Sequence, residues 1–235
     1  MLIETSNLST GYGDTPVLHN LNFSMDQGEV ILILGPNGHG KTTFLRAISG
    51  LIPAWSGQIL FKGKDLTRLS PDRIVREGIA HIPQGDLLFP DLTVMENLLM
   101  GAYLPDAWRN KQARLRDVFE MFPLLKERST QLARSLSGGE RRMLSLGRGL
   151  MIQASLYMID EPSLGLAPVL VESVYRDIQQ LVTQGFSILL VEENATHALS
   201  LADRVYLLEG GRFIKEGIPS DLIADETFQS AYLGI

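Results

Sequence analysis

The apolar and polar positions along the chain predict strands of two kinds. Near the start, LIETSNLST and VLHNLNFSMDQGE alternate loosely, which is typical of strands with one face toward solvent. The runs VILIL at 30–34, LYMID at 156–160 and SILLV at 187–191 are almost continuously apolar, which predicts strands buried on both faces. The last of these runs is followed by two adjacent carboxylates, Glu192 and Glu193, which is unusual for a buried strand.

Shorter segments predict further strands. GQILFKGKDL at 57–66 is typical of an exposed edge strand, and IAHIP at 79–83 predicts a short strand. VYLLEGGRFIKEG, near the end of the chain, predicts a hairpin that turns at Gly210 and Gly211.

Helices are predicted between the strands. KTTFLRAIS predicts a helix that ends at Gly50, and a second helix is predicted to start at Ser70, as its cap, and to end near Gly78. From about residue 93 to residue 154 the pattern is helical, and TVME and SGGE in this stretch both have the spacing of a capping box. Another helix is predicted from about residue 168 to residue 185.

The order of these elements predicts an α/β fold. Apolar strands that alternate with helices form a parallel sheet with helices on both faces. We predict a single domain over residues 1–235, in which 1–92 and 155–235 form the core together with an N-terminal antiparallel β subdomain. Residues 93–154 are predicted to form an inserted α-helical subdomain.

Composition narrows the class of protein. The chain is 45% hydrophobic, enough for a sizeable core, and its net charge of −6 argues against a nucleic-acid-binding protein. It contains no cysteine, so disulfides and thiolate metal sites are excluded. No signal peptide is apparent, and the apolar runs are far shorter than the ~20 residues of a membrane-spanning helix. We expect a soluble chain, which is compatible with docking on a membrane protein.

The segment GPNGHGKTT matches the phosphate-binding loop G-x-x-x-x-G-K-[ST] and lies between a buried strand and a helix, as this loop requires. Its backbone N–H groups would cradle phosphates, aided by the positive end of the helix dipole. Lys41 would contact the β- and γ-phosphates, and the Thr42 hydroxyl would coordinate Mg²⁺. The predicted nucleotide-binding residues of the loop are Gly35, Pro36, Asn37, Gly38, His39, Gly40, Lys41, Thr42 and Thr43. The side chain of His39 occupies a variable position and is expected to face solvent without a role of its own.

The segment LYMIDE supplies a second part of the site. Asp160, at the end of a predicted strand, would hold Mg²⁺ directly or through water, and Glu161 would polarise an attacking water. The guanine-reading motif N/T-K-x-D of GTPases is absent from the chain. A small-molecule kinase is not excluded by these two motifs.

The segment LSGGE predicts a second anion site at a helix N-terminus, formed by Ser137, Gly138 and Gly139. It lies about a hundred residues after the phosphate-binding loop. If two chains dimerise head to tail, the LSGGE segment of each chain would contact the nucleotide bound to the other chain. A plain capped helix start would leave the two glycines unexplained.

These motifs, together with LYMIDEPSLGLAP and LADRVYLLEGGR, make the chain resemble the ATP-binding subunits of ABC transporters over essentially its whole length. The segments DEPSLGLAP and VEENATHALSLADRVYLLEGGR are most similar to subunits of branched-chain amino acid importers, with amide and urea importers as close relatives. The resemblance implies a P-loop (RecA-like) ATPase core, with ATP and Mg²⁺ as cofactors. It also implies a second ATP-binding subunit, transmembrane permease subunits, an indirectly associated solute-binding protein, and a place at the cytoplasmic face of the cell membrane.

The resemblance assigns roles to further residues. Tyr12, in GYG, would stack on adenine, although a core or turn tyrosine is the plain alternative. Gln84 would sense Mg²⁺ and the γ-phosphate and so take part in both metal binding and catalysis. Ser137 and Gly139 would contact the γ-phosphate held by the opposing chain.

The segment GDLLFPDLTVMENL, at 85–98, is where the resemblance places docking of the membrane subunit. Leu87, Leu88 and Phe89 are apolar residues in an expected loop, which suits a docking surface. They would equally suit packing under the helical block.

Two positions depart from the family pattern. Glu193 stands where most relatives have a histidine that donates to the γ-phosphate, and Ala167 where most have an aspartate. A carboxylate beside a phosphate is repulsive, so Glu193 would be protonated, would turn to a cation, or would make the site slow. We predict an asymmetric site that works with an unlike partner chain bearing the histidine. The alternative is that this subgroup tolerates the change and the chain pairs with itself.

Two other classes of protein stay open. A soluble ABC ATPase acting on DNA or ribosomes usually carries long coiled-coil insertions or two fused cassettes, and neither is present in this acidic chain. A regulatory or assembly ATPase would bind a protein scaffold and move no solute. A pull-down with membrane permeases would separate it from a transporter subunit.

Overall fold

The computed structural model describes residues 1–225, 228–229 and 232. The strands are β1 (Ile3–Tyr12), β2 (Thr15–Met25), β3 (Val30–Leu34), β4 (Ser56–Phe61), β5 (Lys64–Asp65), β6 (Ile79–Ile82), β7 (Leu156–Asp160), β8 (Ile188–Glu192), β9 (Arg204–Glu209) and β10 (Arg212–Gly217). The helices are α1 (Lys41–Ile48), α2 (Pro71–Glu77), α3 (Val94–Gly101), α4 (Pro105–Arg109), α5 (Lys111–Met121), α6 (Pro123–Glu127), α7 (Gly138–Leu150), α8 (Pro168–Thr183) and α9 (Pro219–Ile223).

The strands form two sheets. An antiparallel sheet has the order β2-β1-β4-β5, and a six-stranded sheet has the order β10-β9-β3-β8-β7-β6. In the larger sheet β9, β3, β8, β7 and β6 are parallel, and β10 pairs antiparallel with β9. The prediction of a parallel sheet combined with antiparallel strands near the N-terminus is therefore confirmed.

Strand β3 separates two hydrophobic cores, as its continuous apolar sequence predicts. Val30, Leu32 and Leu34 belong to the core that also contains residues of α7 and α8. Ile31 and Ile33 point to the other face, into the core shared with the antiparallel sheet and α1. Because each buried Leu or Ile contributes about 1.5–3 kcal/mol, this strand anchors the loop that follows it on both sides.

Most predicted elements are present, with two local corrections. The expected strand over 57–66 is divided into β4 and β5 by a turn at Lys62 and Gly63, both at positive φ. Ser70 does precede α2, but its hydroxyl donates to the Asp72 carboxylate and does not cap the helix. Both predicted capping boxes, those at Thr93 and Ser137, are formed.

Helices α3 to α7 follow one another between β6 and β7 and form the stretch predicted to be helical. Helix α7 packs on α3, α8 and β6 and so joins this stretch to the parallel sheet. The boundaries of a separate subdomain at residues 93 and 154 stay a prediction. Among the described residues, no helix has the length and apolar character needed to cross a membrane.

Candidate functional site

The carboxyl ends of three parallel strands bring the predicted site residues to one edge of the sheet. Leu34 of β3 is paired with Glu192 of β8, and Asp160 of β7 is paired with Val191. The phosphate-binding loop therefore starts beside the ends of β7 and β8. Ligands of parallel α/β sheets bind at this edge.

The glycines at the two ends of the loop are required by close contacts. A Cβ on Gly35 would lie 2.1 Å from the carbonyl oxygen of Leu208. Gly40 has a φ of 108°, and a Cβ there would lie 2.6 Å from Leu18 Cδ2. The loop thus follows a path that only glycine can take at these two points, with its backbone free to face a ligand.

Lys41 lies at the centre of the loop and is only 3% exposed. Its ammonium donates to the carbonyl oxygens of Gly35 at 2.8 Å and Pro36 at 3.2 Å. It also lies 3.1 Å from Glu161 Oε1, so the buried cation has one anionic partner. The loop thus holds a buried positive charge, and an anionic ligand would bind to it by displacing the Glu161 carboxylate.

Asp160 and Thr42 face each other across the site. The Thr42 hydroxyl donates to Asp160 Oδ1 at 3.1 Å. Burial raises the pKa of Asp160 to about 6, although the hydrogen bond from Thr42 lowers it. A hydroxyl beside a carboxylate presents the oxygen ligands that Mg²⁺ prefers, and Gln84 lines the neighbouring cavity with an amide.

Glu161 is buried and held from three sides. Its own N–H donates to the carbonyl of Val191 at 2.9 Å, and Gln84 Nε2 donates to Oε2 at 2.8 Å. The third contact is the ion pair with Lys41. Its φ of 42° is a left-handed conformation that a non-glycine residue adopts only when its surroundings impose it. Three of the predicted site residues, Gln84, Lys41 and Glu161, are therefore brought together.

A cavity of about 220 Å³ lies beside these groups. It is lined by Asn37, Gly38, Gly40, Lys41, Thr42, Thr43, Gln84 and Glu161. The loop, the buried cation and the carboxylate thus share one open space. An anionic group entering it would meet backbone N–H groups at the start of α1.

The two carboxylates that end β8 have different environments. Glu193 is exposed, and its Oε2 accepts a hydrogen bond of 2.7 Å from the Asn37 side chain of the phosphate-binding loop. Its partner is thus a neutral amide and not a cation, so that one of the three expectations for Glu193 is wrong. Glu193 does lie next to the loop.

Glu192 is buried, and the sequence did not reveal its partners. Its Oε1 accepts from the Tyr175 hydroxyl at 2.7 Å and from the backbone N–H of Ser163 at 3.2 Å. Burial raises the pKa of this carboxyl, partly offset by these hydrogen bonds. Because Ser163 lies two residues after Glu161, Glu192 fixes the start of the segment that follows Glu161. The sequence did contain one sign that Glu192 needs a partner, namely a carboxylate at the end of a buried strand.

Tyr12 contacts the phosphate-binding loop from outside, and His39 within the loop contacts a neighbouring turn. The Tyr12 hydroxyl lies 3.3 Å from Thr43 Oγ1 and accepts from Arg46, while part of the side chain remains exposed. His39 Nδ1 accepts from the N–H of Gly210 at 3.2 Å. The ring of half-buried His39 thus joins the loop to the turn between β9 and β10, a contact that the sequence did not reveal, and its part in nucleotide binding stays a prediction.

The predicted second anion site lies at the N-terminus of α7. The Ser137 N–H donates to Glu140 Oε2 at 2.7 Å, and the Glu140 N–H donates to Ser137 Oγ at 3.3 Å. A Cβ on Gly138 would lie 3.2 Å from Leu166, just before α8, and a Cβ on Gly139 would lie 3.1 Å from Leu170. No hydrogen bond among the described residues joins this terminus to the phosphate-binding loop of the same chain.

A larger cavity of about 650 Å³ lies between the parallel sheet and the helical stretch. Leu87, Phe89, Met100 and Tyr103 line it, and each is substantially exposed. Leu88, in contrast, packs against the hydrophobic core. Leu87 and Phe89 thus lie at an open apolar surface, as a docking surface requires. Leu88 instead packs under the helices, as the alternative predicts.

Arg142 is another site residue that the sequence motifs do not reveal. It is buried on α7, within 3.3 Å of Asp86, which follows Gln84 by two residues. Burial lowers the pKa of Arg142, while the nearby charges of Asp86, Glu192 and Asp160 act in the opposite direction. The helical periodicity of the sequence could have indicated that Arg142 is buried, since it lies on the same side of α7 as Gly139 and Leu146.

Known proteins resemble this chain over nearly its full length. The family model described as ABC transporter matches residues 18–164. The high-affinity branched-chain amino acid transport ATP-binding protein BraG of Pseudomonas aeruginosa is 41% identical over 233 residues, covering 99% of this chain and 100% of that protein. The probable branched-chain amino acid transport ATP-binding protein LivF of Archaeoglobus fulgidus is 36% identical, covering 100% and 99%. The ADP conformation of MJ1267, an ATP-binding cassette of an ABC transporter, has a TM-score of 0.85 at 27% identity, covering 100% and 99%.

Proposed function

The chain belongs to the ABC transporter family of ATP-binding subunits, and from this premise we propose that it powers the uptake of branched-chain amino acids. It is an ATPase of that family, with the fold of an ATP-binding cassette. The observation that carries the choice of solute is the 41% identity to BraG, over 99% of this chain and all of that protein. The 36% identity to LivF over the full length supports the same solute class.

ATP is proposed to bind in the cavity beside the phosphate-binding loop. Phosphate oxygens would accept from the loop N–H groups and from Lys41, with the helix dipole of α1 adding to the attraction. The Lys41 ammonium now pairs with Glu161 at 3.1 Å, so phosphate would compete with that carboxylate for the cation. Tyr12 is exposed near Thr43, where its ring would be available to stack on adenine.

The residues at the start of α1, at the end of β7 and just after β6 fit a bound Mg²⁺. Thr42, Asp160 and Gln84 would hold it, because all three offer oxygen atoms and two of them already lie within 3.1 Å of each other. The bound ion would neutralise developing charge on the phosphates. Ionisation of Asp160, whose pKa is raised by burial to about 6, would become easier beside a cation.

Glu161 is proposed to accept a proton from the water that attacks the γ-phosphate. Once Lys41 turns to phosphate, the Glu161 carboxylate would lose its cation while Gln84 still donates to it at 2.8 Å. Its backbone is fixed by Val191 and by the Glu192 contact with Ser163, so the carboxylate would stay in place during the reaction.

A second ATP-binding subunit is proposed to complete the site. Ser137, Gly138 and Gly139 would bind the nucleotide of the partner, since within one chain no described hydrogen bond links them to the loop. Glu193 lies on the loop residue Asn37, where its charge would oppose the γ-phosphate. We therefore propose an unlike partner that supplies the histidine absent from this chain.

Transmembrane permease subunits are proposed to dock on the exposed apolar residues Leu87 and Phe89, at the side of the 650 Å³ cavity away from Thr42 and Asp160. This position would place the chain at the cytoplasmic face of the membrane. The exposed apolar residues Met100 and Tyr103 extend the same surface. A solute-binding protein would act on the other side and would select the solute without touching this chain.

The test of this function is reconstitution of the chain in vesicles with candidate permease subunits and a candidate partner ATPase from the same organism. We expect ATP-dependent uptake of radiolabelled leucine, isoleucine or valine that disappears when this chain is left out. Uptake of an amide or urea but not of these amino acids would overturn the solute class. Assembly without uptake of any of these solutes, with ATP hydrolysis that does not respond to the solute-binding protein, would indicate a regulatory ATPase.

The role of Glu193 has its own test. Because a histidine there would add one charge-assisted hydrogen bond to the γ-phosphate, Glu193→His is expected to raise ATP hydrolysis by the isolated chain about tenfold. Glu193→Gln removes the charge without adding the ring and is expected to give a smaller increase. Phosphate release by each variant would be measured at saturating ATP. Equal rates for all three chains, matching the intact transporter, would show that Glu193 is tolerated.

A further inference from the structure

A half-exposed tryptophan lies against the backbone just before Tyr12. Trp55 directly precedes β4 and is 45% exposed. A Cβ on Gly11 would lie 2.7 Å from Trp55 Cη2, the atom at the far end of the indole ring. The ring therefore rests on the Gly11 backbone, and this close approach requires a residue without a side chain.

The end of β1, which carries Tyr12, is irregularly paired with its neighbour. Its register with β2 shifts between Leu8 and Thr10 and again between Thr10 and Gly11. Such irregularities bend a strand and disrupt its ladder of hydrogen bonds. The position of Tyr12 therefore depends on contacts from outside the β1–β2 pair.

The segment 53–55 supplies such contacts. The hydroxyl of buried Thr10 donates to the Pro53 carbonyl at 2.6 Å, and the Trp55 N–H donates to the Ser9 carbonyl at 2.9 Å. With the indole ring on the next residue of β1, three successive residues of this strand are bound to the segment. Because Tyr12 follows them directly, its backbone is held by the same contacts.

The other end of the Tyr12 side chain is held by α1. Its hydroxyl lies 3.3 Å from Thr43 Oγ1 and accepts from Arg46 Nη1 at 3.2 Å. Helix α1 begins at Lys41, in the phosphate-binding loop. The ring is thus fixed relative to that loop from two sides, at its hydroxyl by α1 and at its backbone by Trp55. It still leaves 43% of the residue exposed to a ligand.

We propose that Trp55 is a positioning residue for adenine, which holds the Tyr12 ring where the base of a bound ATP stacks on it. Stacking on an aromatic ring adds to affinity and depends on the placement of the two planes. Trp55 acts through the Gly11 backbone and does not touch the nucleotide. This inference rests on the proposed function, because it requires that ATP bind at the phosphate-binding loop with its base beside Tyr12.

The test compares two ligands that share a chain of phosphates and differ in the base. A non-hydrolysable ATP analogue and inorganic tripolyphosphate are each titrated with Mg²⁺ into the isolated chain by calorimetry. In Trp55→Ala the analogue is expected to bind about three- to tenfold more weakly, because Tyr12 loses its support and stacks less well. Tripolyphosphate has no base and is expected to bind this variant within about twofold of the wild type.

A double-mutant cycle with Tyr12 distinguishes positioning from direct contact. Tyr12→Ala is expected to weaken binding of the analogue about tenfold. Since Trp55 acts through Tyr12, adding Trp55→Ala to Tyr12→Ala should bring no further loss. A further loss as large as that of Trp55→Ala alone would show an independent role and overturn the inference. Unchanged affinity in Tyr12→Ala would overturn the stacking on Tyr12 and, with it, the role of Trp55.

Two more variants guard the interpretation. Trp55→Phe keeps an aromatic ring but lacks Cη2, the atom that approaches Gly11, and is expected to show the same selective loss. Trp108→Ala is the matched control, because Trp108 on α4 is the other tryptophan of the chain and is 50% exposed. It should bind both ligands as the wild type does. A thermal melt of each variant establishes that it is folded.

The outcomes separate the two proposals. A wild-type chain that binds neither ligand, or the analogue without tripolyphosphate, would overturn the proposed phosphate site and this inference with it. Folded Trp55 variants that bind the analogue as the wild type does, or that lose affinity equally for both ligands, would overturn the positioning role alone.

Discussion

Replacing Glu161 by glutamine is expected to leave ATP binding intact and to slow hydrolysis by about two to four orders of magnitude. The amide has nearly the shape of the carboxylate and still accepts a hydrogen bond from Gln84, which now bonds Oε2 at 2.8 Å. It cannot take a proton from water. Loss of the carboxylate also removes the negative charge that competes with phosphate for Lys41, 3.1 Å away.

The measurement is phosphate release at saturating ATP together with a fluorescence titration of ATP binding. Glu120→Gln, at an exposed position on α5, is the matched control and should hydrolyse ATP at the wild-type rate. A Glu161→Gln chain that turns over at an unchanged rate would remove Glu161 from its proposed role. The same variant with ATP allows the mass of the assembly to be determined by light scattering. A doubling would show that the chain pairs with itself.

Replacing Lys41 by alanine is expected to weaken ATP binding itself by about 100-fold or more. The buried ammonium would make charge-assisted hydrogen bonds to phosphate oxygens, and about 2.8 kcal/mol of such binding corresponds to this factor. The variant also leaves Glu161 buried without its cation, which places a negative charge against the incoming phosphate. Both effects lower affinity, and they reinforce each other.

The measurement is the dissociation constant for ATP, with a thermal melt to establish that the variant is folded. Lys126→Ala removes an exposed lysine on α6 and is expected to bind ATP as the wild type does. A folded Lys41→Ala chain with unchanged ATP affinity would contradict the proposed site. Lys41→Arg keeps the charge but is also expected to bind poorly, because the wider guanidinium does not fit between the carbonyls of Gly35 and Pro36.

Local sequence determined those parts of the site whose contacts join residues close together in the chain. The phosphate-binding loop follows β3 and precedes α1, since Gly35 and Gly40 allow a path closed to other residues. The capping boxes at Thr93 and Ser137 involve partners three residues apart, so spacing alone predicted both. The buried strands β3, β7 and β8 were predicted from sequence as well, because a short, continuously apolar run is typical of a strand buried on both faces.

The contacts that tertiary structure decided join residues far apart in the chain. Glu193 meets Asn37 across 156 positions, and Gly210 meets His39 across 171. The family resemblance placed Glu193 near the γ-phosphate, but its hydrogen-bond partner depends on the turn that the loop makes. This contact of His39 was missed because the hairpin that it touches is remote in sequence.

The sequence by itself indicated the class of chemistry: a phosphate-binding loop, a carboxylate pair after a buried strand and a predicted second anion site, together with the family resemblance that these motifs carry, predict an ATPase. The tertiary structure alone decided how these parts are held together. Tyr175 pairs with Glu192, and Arg142 with Asp86, because packing α7 and α8 on the sheet buries these charges and only nearby opposite charges or donors stabilise them. Such pairing depends on which surfaces meet in space, and no short stretch of sequence contains that information.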